Sequence, residues 1–275
     1  MKKAFNKISR LFVLCFIGCF IILNDSCGLD TVLTVYPPNR EHSIDDCATT
    51  VATEYANSFL SFSINTEGLP EHSFLGVDLY YKIYTNKSEC QSEKSNLEGS
   101  ANNNSTAYTS YDSMISKGYK ALRRTGFHDE PLLYGDNRDP FVLRFVTTGS
   151  FNDPDNAFYS YVGPAKKTDA SGAIDRITPI ITYGDRKNYI PLRSLATNYQ
   201  KEFSFDFGRN VYEEAGFKVK IPVSGDSDIK YSSFTDTNSY YVAVFAVQIA
   251  KDDSFVRYYS PIEYLGSVKI VSATD

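Results

Sequence analysis

The residues able to do chemistry here are three histidines, five cysteines and a few clustered acids. His42, His72 and His128 stand at no spacing that brings two imidazoles onto one metal ion. His128-Asp129-Glu130 gathers an imidazole and two carboxylates, a set able to ligate a cation, but such runs more commonly make a solvated turn. Asp153, Asp155 and Asn156 offer oxygens for calcium. The central glycine and the terminal glutamate of a calcium loop are missing, and Pro154 favours an ordinary Asx turn. Asp45-Asp46 and Glu213-Glu214 are adjacent pairs whose side chains diverge on a strand, so neither forms an acid–base couple. There is no Gly-x-Ser-x-Gly elbow and no phosphate loop. A triad of distant residues is defined by geometry and leaves no sequence signature. The expectation is therefore no catalytic residues, no metal and no cofactor.

The N-terminus carries the strongest pattern. Lys2, Lys3, Lys7 and Arg10 precede Leu11 to Leu23, thirteen residues without a charge, followed by Asn24, Asp25, Ser26 and Cys27. A basic start, a short apolar core and a small residue before a processing point read as a secretory signal. Thirteen residues at helical rise cover about 20 Å, short of a hydrocarbon slab of about 30 Å. Cys27, between Ser26 and Gly28, resembles the relaxed lipobox of spirochaetal-type bacterial lipoproteins, where signal peptidase II cleaves before a diacylglyceryl cysteine. Leu23 stands one place early, and Asn24 and Asp25 are polar. The resemblance implies a signal peptide over 1–26, a lipid on Cys27, and attachment to an envelope membrane through acyl chains. Cys19 is a rival acceptor with a very short apolar core before it. Cleavage to a soluble secreted protein and retention as an uncleaved anchor are the other outcomes.

Loss of residues 1–26 removes four of 28 basic and one of 33 acidic residues, leaving 24 and 32 and a net charge of −8. That balance argues against nucleic acid and against electrostatic attraction to anionic lipid. Three cysteines remain. With Cys27 acylated, Cys47 and Cys90 form an even pair in an oxidising compartment. A disulfide between them closes a loop of about 43 residues, on the order of 4 kcal/mol in the loop-entropy picture. With 21 Tyr, 19 Phe and no Trp, the aromatic content favours strands whose rings pack across neighbours.

Period-two alternation predicts strands over 58–65 and 74–84, a neighbouring pair, with Leu75, Val77, Leu79, Tyr81 and Ile83 inward and Asp78 and Lys82 outward. Residues 85–110 are polar and read as a surface loop. Residues 111–124 read as a helix, with Lys120, Arg123 and Arg124 complementing its dipole and Gly126 ending it. Short strands are expected at 141–147, 157–162, 177–183, 203–207, 217–223 and 229–234. Tyr240 to Ile249 is apolar on both faces and reads as a central strand. Residues 255–259 and 262–271 follow as edge strands.

Tyr240, Val242, Val244 and Ala246 resemble the Tyr-x-Val-x-Val-x-Ala of the penultimate strand of fibronectin type III and related immunoglobulin-like sandwiches. Phe234 stands where a leucine precedes that tyrosine, Tyr259-Ser260-Pro261 resembles the start of the last strand, and residues 76–84 resemble the third. The family's core Trp is absent, with Phe62 as its replacement, and the matching strands lie about 155 residues apart. The resemblance implies a mainly β fold: an elaborated antiparallel β-sandwich with one helix and a long insertion. The implied organisation is a signal peptide at 1–26, a lipidated tether at 27–50 and a sandwich at 51–275 interrupted over about 85–235; two β domains are the other arrangement that fits this separation. The expected function is that of an envelope lipoprotein acting as a non-enzymatic binding or structural module, with an envelope protein or glycan as partner. The alternative is an envelope hydrolase acting on sugars or peptides.

Overall fold

A computed structural model describes residues 33–44, 59–70, 73–103, 107–124, 131–134, 140–145, 161–164, 166–167, 174–175, 191–195, 203–205, 218–219, 221–233, 235–236 and 238–271. The chain divides into units Met1–Leu33 and Thr34–Asp275, and Leu33 alone of the first is described. In chain order the second unit opens with strands β1 (Asn39–His42), β2 (Leu60–Ser63) and β3 (Phe74–Tyr84). Helices α1 (Lys87–Asn103) and α2 (Ala107–Ser116) follow. Then come β4 (Lys120–Ala121), β5 (Arg123–Arg124), β6 (Leu133–Tyr134), β7 (Phe141–Arg144) and β8 (Tyr161–Pro164). Next are β9 (Lys166–Lys167), β10 (Ile174–Asp175), β11 (Pro191–Leu192), β12 (Phe203–Ser204), β13 (Lys218–Val219) and β14 (Ile229–Lys230). The last are β15 (Ser239–Lys251), β16 (Arg257–Tyr259) and β17 (Glu263–Val271).

The fold is mainly β and sandwich-like. A four-stranded antiparallel sheet, β1-β2-β7-β8, faces a seven-stranded sheet built on β3 and β15. β15 pairs antiparallel with β3 along one side and with β17 and β16 along the other. β6, β4 and β14 line the far edge of β3, β14 running parallel to it. A smaller sheet, β13-β12-β11-β5, and the pair β10-β9 complete the strands. The stretches at 76–84 and 240–246 that resemble a fibronectin-like sandwich lie side by side, Val244 opposite Tyr81.

The alternation along β3 and β15 explains the layering. Val77, Leu79, Tyr81, Ile83, Val242, Val244 and Ala246 point at the four-stranded sheet, where Leu60, Phe62, Phe141 and Leu143 meet them. Phe62 is fully buried and stacks on Phe141 at 5.5 Å. Tyr80, Tyr84, Tyr241, Ala243, Phe245 and Val247 point the other way, where Cys90 and Leu97 of α1 and Met114 of α2 cover them. The central sheet is thus buried on both faces, as the two-sided apolar run from Tyr240 to Ile249 predicts.

Several expectations are corrected. The strands near 58–65 and 74–84 do not pair: β2 and β3 belong to different sheets and meet across the core. A bulge where Ile249 pairs with Gly76 and Ala250 with Phe74 puts Phe74, rather than Leu75, against the core. Among the described residues there are two helices, not one. α1 occupies the stretch read as a loop, and its start follows a clear rule: Asn86 Oδ1 accepts the Glu89 amide at 3.1 Å, an N-cap. α2 ends at Ser116, not near Gly126. Gly118 at φ 84 lets its own amide reach the Ile115 carbonyl (2.9 Å) and that of Tyr119 reach Met114, a Schellman close. Lys120, Arg123 and Arg124 therefore sit on strands beyond the end of α2. β1 pairs with β2, so the sandwich begins inside the segment read as tether. Of the strand expected at 157–162, residues 161–162 fall on β8 and 157–160 lie outside the described residues, as do the strand expected at 177–183 and Phe234.

β17 shows why one glycine is required. Tyr264 faces the helices, Leu265 the sandwich, and Val268 the sandwich again, a change of phase made by a bulge opposite Val244 and Phe245. Gly266 sits there at φ 151. A Cβ on it would stand 2.5 Å from Leu60 Cδ2 and 2.8 Å from the Ile44 carbonyl oxygen. That close approach lets the Ser267 amide donate to Ile44 at 2.9 Å, fastening the edge of one sheet to the start of the other.

Candidate functional site

Of the residues singled out for chemistry, Cys27, Cys47, His72, His128-Asp129-Glu130, Asp153, Asp155, Asn156, Asp45-Asp46 and Glu213-Glu214 lie outside the described residues. Cys90 is fully buried between α1 and the central sheet. His42 is half-buried, stacked on Phe59 at 4.1 Å with Nδ1 2.8 Å from the Phe59 carbonyl oxygen, a packed structural histidine. Among the described residues no set of three His, Cys, Asp or Glu side chains converges, and no helix is long and apolar enough to cross a membrane.

Two charge clusters stand out, and both are interior. In the first, Glu93 of α1 meets Lys82 of β3 at 2.6 Å through Oε1 and Lys230 of β14 at 3.0 Å through Oε2. Tyr84 donates to the same Oε1 at 2.9 Å and lies 2.9 Å from the Tyr119 hydroxyl. Lys82 also donates to the Lys117 carbonyl at the end of α2. Its ammonium sits 5.4 Å from the Tyr84 ring centre and 5.7 Å from that of Tyr119. Burial alone would push the Glu93 carboxyl up. Hydrogen bonds from Lys82, Lys230 and Tyr84, with the Lys82 charge, outweigh it, and the group ends below the usual carboxylate range. Burial lowers Lys82, with Glu93 opposing that and Lys230 and Lys117 adding to it. Burial, then the Tyr119 and Glu93 charges, raises Tyr84. The cluster locks both helices to the sheet.

In the second cluster, Arg193 forks onto Asp228, Nε to Oδ2 at 2.9 Å and Nη2 to Oδ1 at 2.8 Å, and reaches Asp226 Oδ2 at 2.8 Å. Tyr81 donates to Asp228 Oδ2 at 2.6 Å and accepts the Ser194 amide at 2.6 Å. Burial would lower the Arg193 guanidinium, but Asp228 and Asp226 hold it above its ordinary value. This bidentate pair ties 191–195 and 226–230 to the core face of β3. The donors and acceptors of both clusters pair with each other and join segments far apart in the chain.

Among the described residues, two groups of exposed apolar side chains stand out. At the N-terminal end of β15, Ile221, Val223 and Tyr231 are 43, 48 and 54% exposed. Tyr240 joins them by donating to the Pro222 carbonyl at 3.3 Å; burial, then the neighbouring Tyr231 hydroxyl, pushes its phenol up. At the C-terminal end, the β15–β16 turn displays Phe255 at 76% and Val256 at 50% exposure. Sequence reading placed Phe255 and Val256 in a strand. The strand starts at Arg257, and Phe255 stands in the turn at φ 63. The signal for this was Lys251-Asp252-Asp253-Ser254, whose turn chemistry extends past the acids. No family of proteins, no curated protein and no solved structure matches the chain.

Proposed function

We propose that the protein is an envelope lipoprotein, held to a membrane through acyl chains on Cys27, whose body works as a non-enzymatic binding or structural module. The observation that carries this reading is the order of residues 1–27: basic start, thirteen uncharged apolar residues, then Ser26-Cys27-Gly28. In this reading Cys47 is left to pair with Cys90. The half-exposed Ile221, Val223 and Tyr231 support a binding role, because apolar and aromatic groups of this kind suit an envelope protein or the face of a glycan.

The anchor is tested by mass spectra of the N-terminal peptide from membrane-extracted protein, wild type against Cys27→Ser. An acylated fragment beginning at Cys27 and lost in the variant is the expected result. An unmodified start elsewhere removes both the anchor and the argument for the Cys47–Cys90 pair. The binding role is tested by pull-down from envelope extract with wild type and Tyr231→Ser. A partner retained by the first and lost by the second is expected; equal recovery, or no specific partner, counts against it.

A further inference from the structure

We propose that the β15–β16 tip, Phe255 and Val256, is a second membrane contact, seated in the interface of the bilayer that the chain is anchored to. The inference rests on the envelope reading for the presence of that bilayer. The tip is rigidly built. Asp252 Oδ1 accepts the Ser254 and Val256 amides, each at 2.9 Å, and Oδ2 accepts the Tyr258 hydroxyl at 3.0 Å. The Phe255 amide donates to the Asp252 carbonyl at 3.0 Å, and the Asp252 amide to Val256 at 3.1 Å. The Asp252 carboxylate is thereby turned into its own loop. Phe255 is held at a positive φ that residues of its kind rarely adopt, with its ring outward. Lys251 lies 4.9 Å from the ring centre and exposed Arg257 flanks the other side. Long cationic side chains beside an apolar wedge cover its base with their stems and place their heads among lipid phosphates. Asp253 is the acid exposed at this tip.

Size favours a bilayer over a protein. The exposed area of one Phe and half a Val is on the order of 200 Å², against about 800 Å² per partner in a stable protein interface. A bilayer interface needs no matching shape, so two residues suffice there. Position points the same way. The Lys251 amide donates to the Ser73 carbonyl at 2.8 Å, and the Gln248 side chain holds Asn65, so residues 65–70 and Ser73 lie at the tip's end of the sandwich. Tyr36 packs there, its ring 3.7 Å from the place of a Cβ on Gly68. Eight residues lie between Cys27 and Tyr36, a stretch that spans at most about 30 Å. Tyr36, near the start of the described chain, thus stands at the end that carries the tip. The Tyr231 patch lies at the opposite end of β15, about 40 Å away along a strand of 13 residues.

The chain has no Trp, so Phe255→Trp makes a single tryptophan, excited at the red edge where tyrosine does not absorb. The full chain is reconstituted into phosphatidylcholine vesicles containing a minor fraction of phosphatidylglycerol, with plain or brominated acyl chains. Val256→Trp is a second reporter and Tyr231→Trp the reference. The expected result is a blue-shifted emission at 255 and 256, quenched by brominated lipid several-fold more than at 231. Quenching no greater than at 231 overturns the inference. So does a blue shift without quenching, which marks burial against protein. The N-terminal mass, read on the same sample, reports the anchor separately. An acylated chain with an unquenched tip removes the tip alone; an unmodified chain with a quenched tip removes the anchor alone.

Discussion

Gln248 is the residue whose replacement tests the account of the sandwich most directly. It sits on β15 and is fully buried. Its amide mimics a strand: Oε1 accepts the Asn65 amide at 3.0 Å and Nε2 donates to the Asn65 carbonyl at 2.6 Å. Its main chain pairs with Ser260 through two bonds of 2.9 Å, one to the backbone and one to the hydroxyl. One residue thus ties the exit of β2, in one sheet, to β15 in the other. Gln248→Leu keeps the volume and strips two donors and acceptors from Asn65. Each half-buried group left unpaired costs about 1–3 kcal/mol, partly offset by the apolar side chain, so the net loss is about 2–4 kcal/mol. Gln248→Glu keeps the acceptor for the Asn65 amide but sets a carboxylate against its carbonyl. At neutral pH it is the worse of the two. Protonation restores a donor, so its deficit shrinks as pH falls below about 5. Urea unfolding followed by circular dichroism at pH 7 and pH 4.5 reads both effects. A Gln248→Leu protein within about 0.5 kcal/mol of wild type, which is the range of an ordinary surface substitution, would refute the reasoning. So would a glutamate variant whose deficit does not change with pH.

Other outcomes follow from the same geometry. Gly266→Ala forces a Cβ against Leu60 and Ile44 at a φ of 151, and is expected to cost about 3–5 kcal/mol or abolish folding; an unfolding midpoint equal to wild type would contradict the bulge. Glu93 has a folded pKa below its unfolded value, so its stabilisation is complete above about pH 4.3 and is lost as pH falls through the folded value. Glu93→Gln is expected to cost roughly 1–3 kcal/mol at pH 7, with the gap in melting temperature closing toward pH 3; a gap constant with pH would remove the ion-pair explanation. Phe255→Asn relieves a positive φ and is expected to stabilise by about 0.5 kcal/mol or more; destabilisation would mean the ring supports the fold rather than being displayed.

The strands β3 and β15, and the inward face of β3 from Val77 to Ile83, are legible in the amino-acid sequence, because alternation of period two and runs of Val, Ile and Tyr are local properties. β2 and β17 are legible for the same reason, to within two residues at either end. The pairing of β2 is not, since alternation says which face is buried and nothing about which sheet owns the strand. α1 is the larger miss. Its inward stripe is Cys90, Glu93, Leu97 and Ala101, and the charge of Glu93 makes the segment look like a loop. That charge is buried only because Lys82, eleven residues earlier, and Lys230, 137 residues later, are brought to it by the sheet.

By itself the sequence determined the N-terminal pattern that motivates a lipid anchor, the β class and the central strand. It also carried the Asn86 and Gly118 signals that start one helix and end the other. Tertiary structure alone decided that Lys82, Arg193, Asp228 and Gln248 are interior. It also decided that Phe255 is outside. The physical reason is common to all of these. Burial of a polar group depends on finding its partner, and exposure of an apolar one depends on finding none, and both are settled by chain segments far apart in sequence.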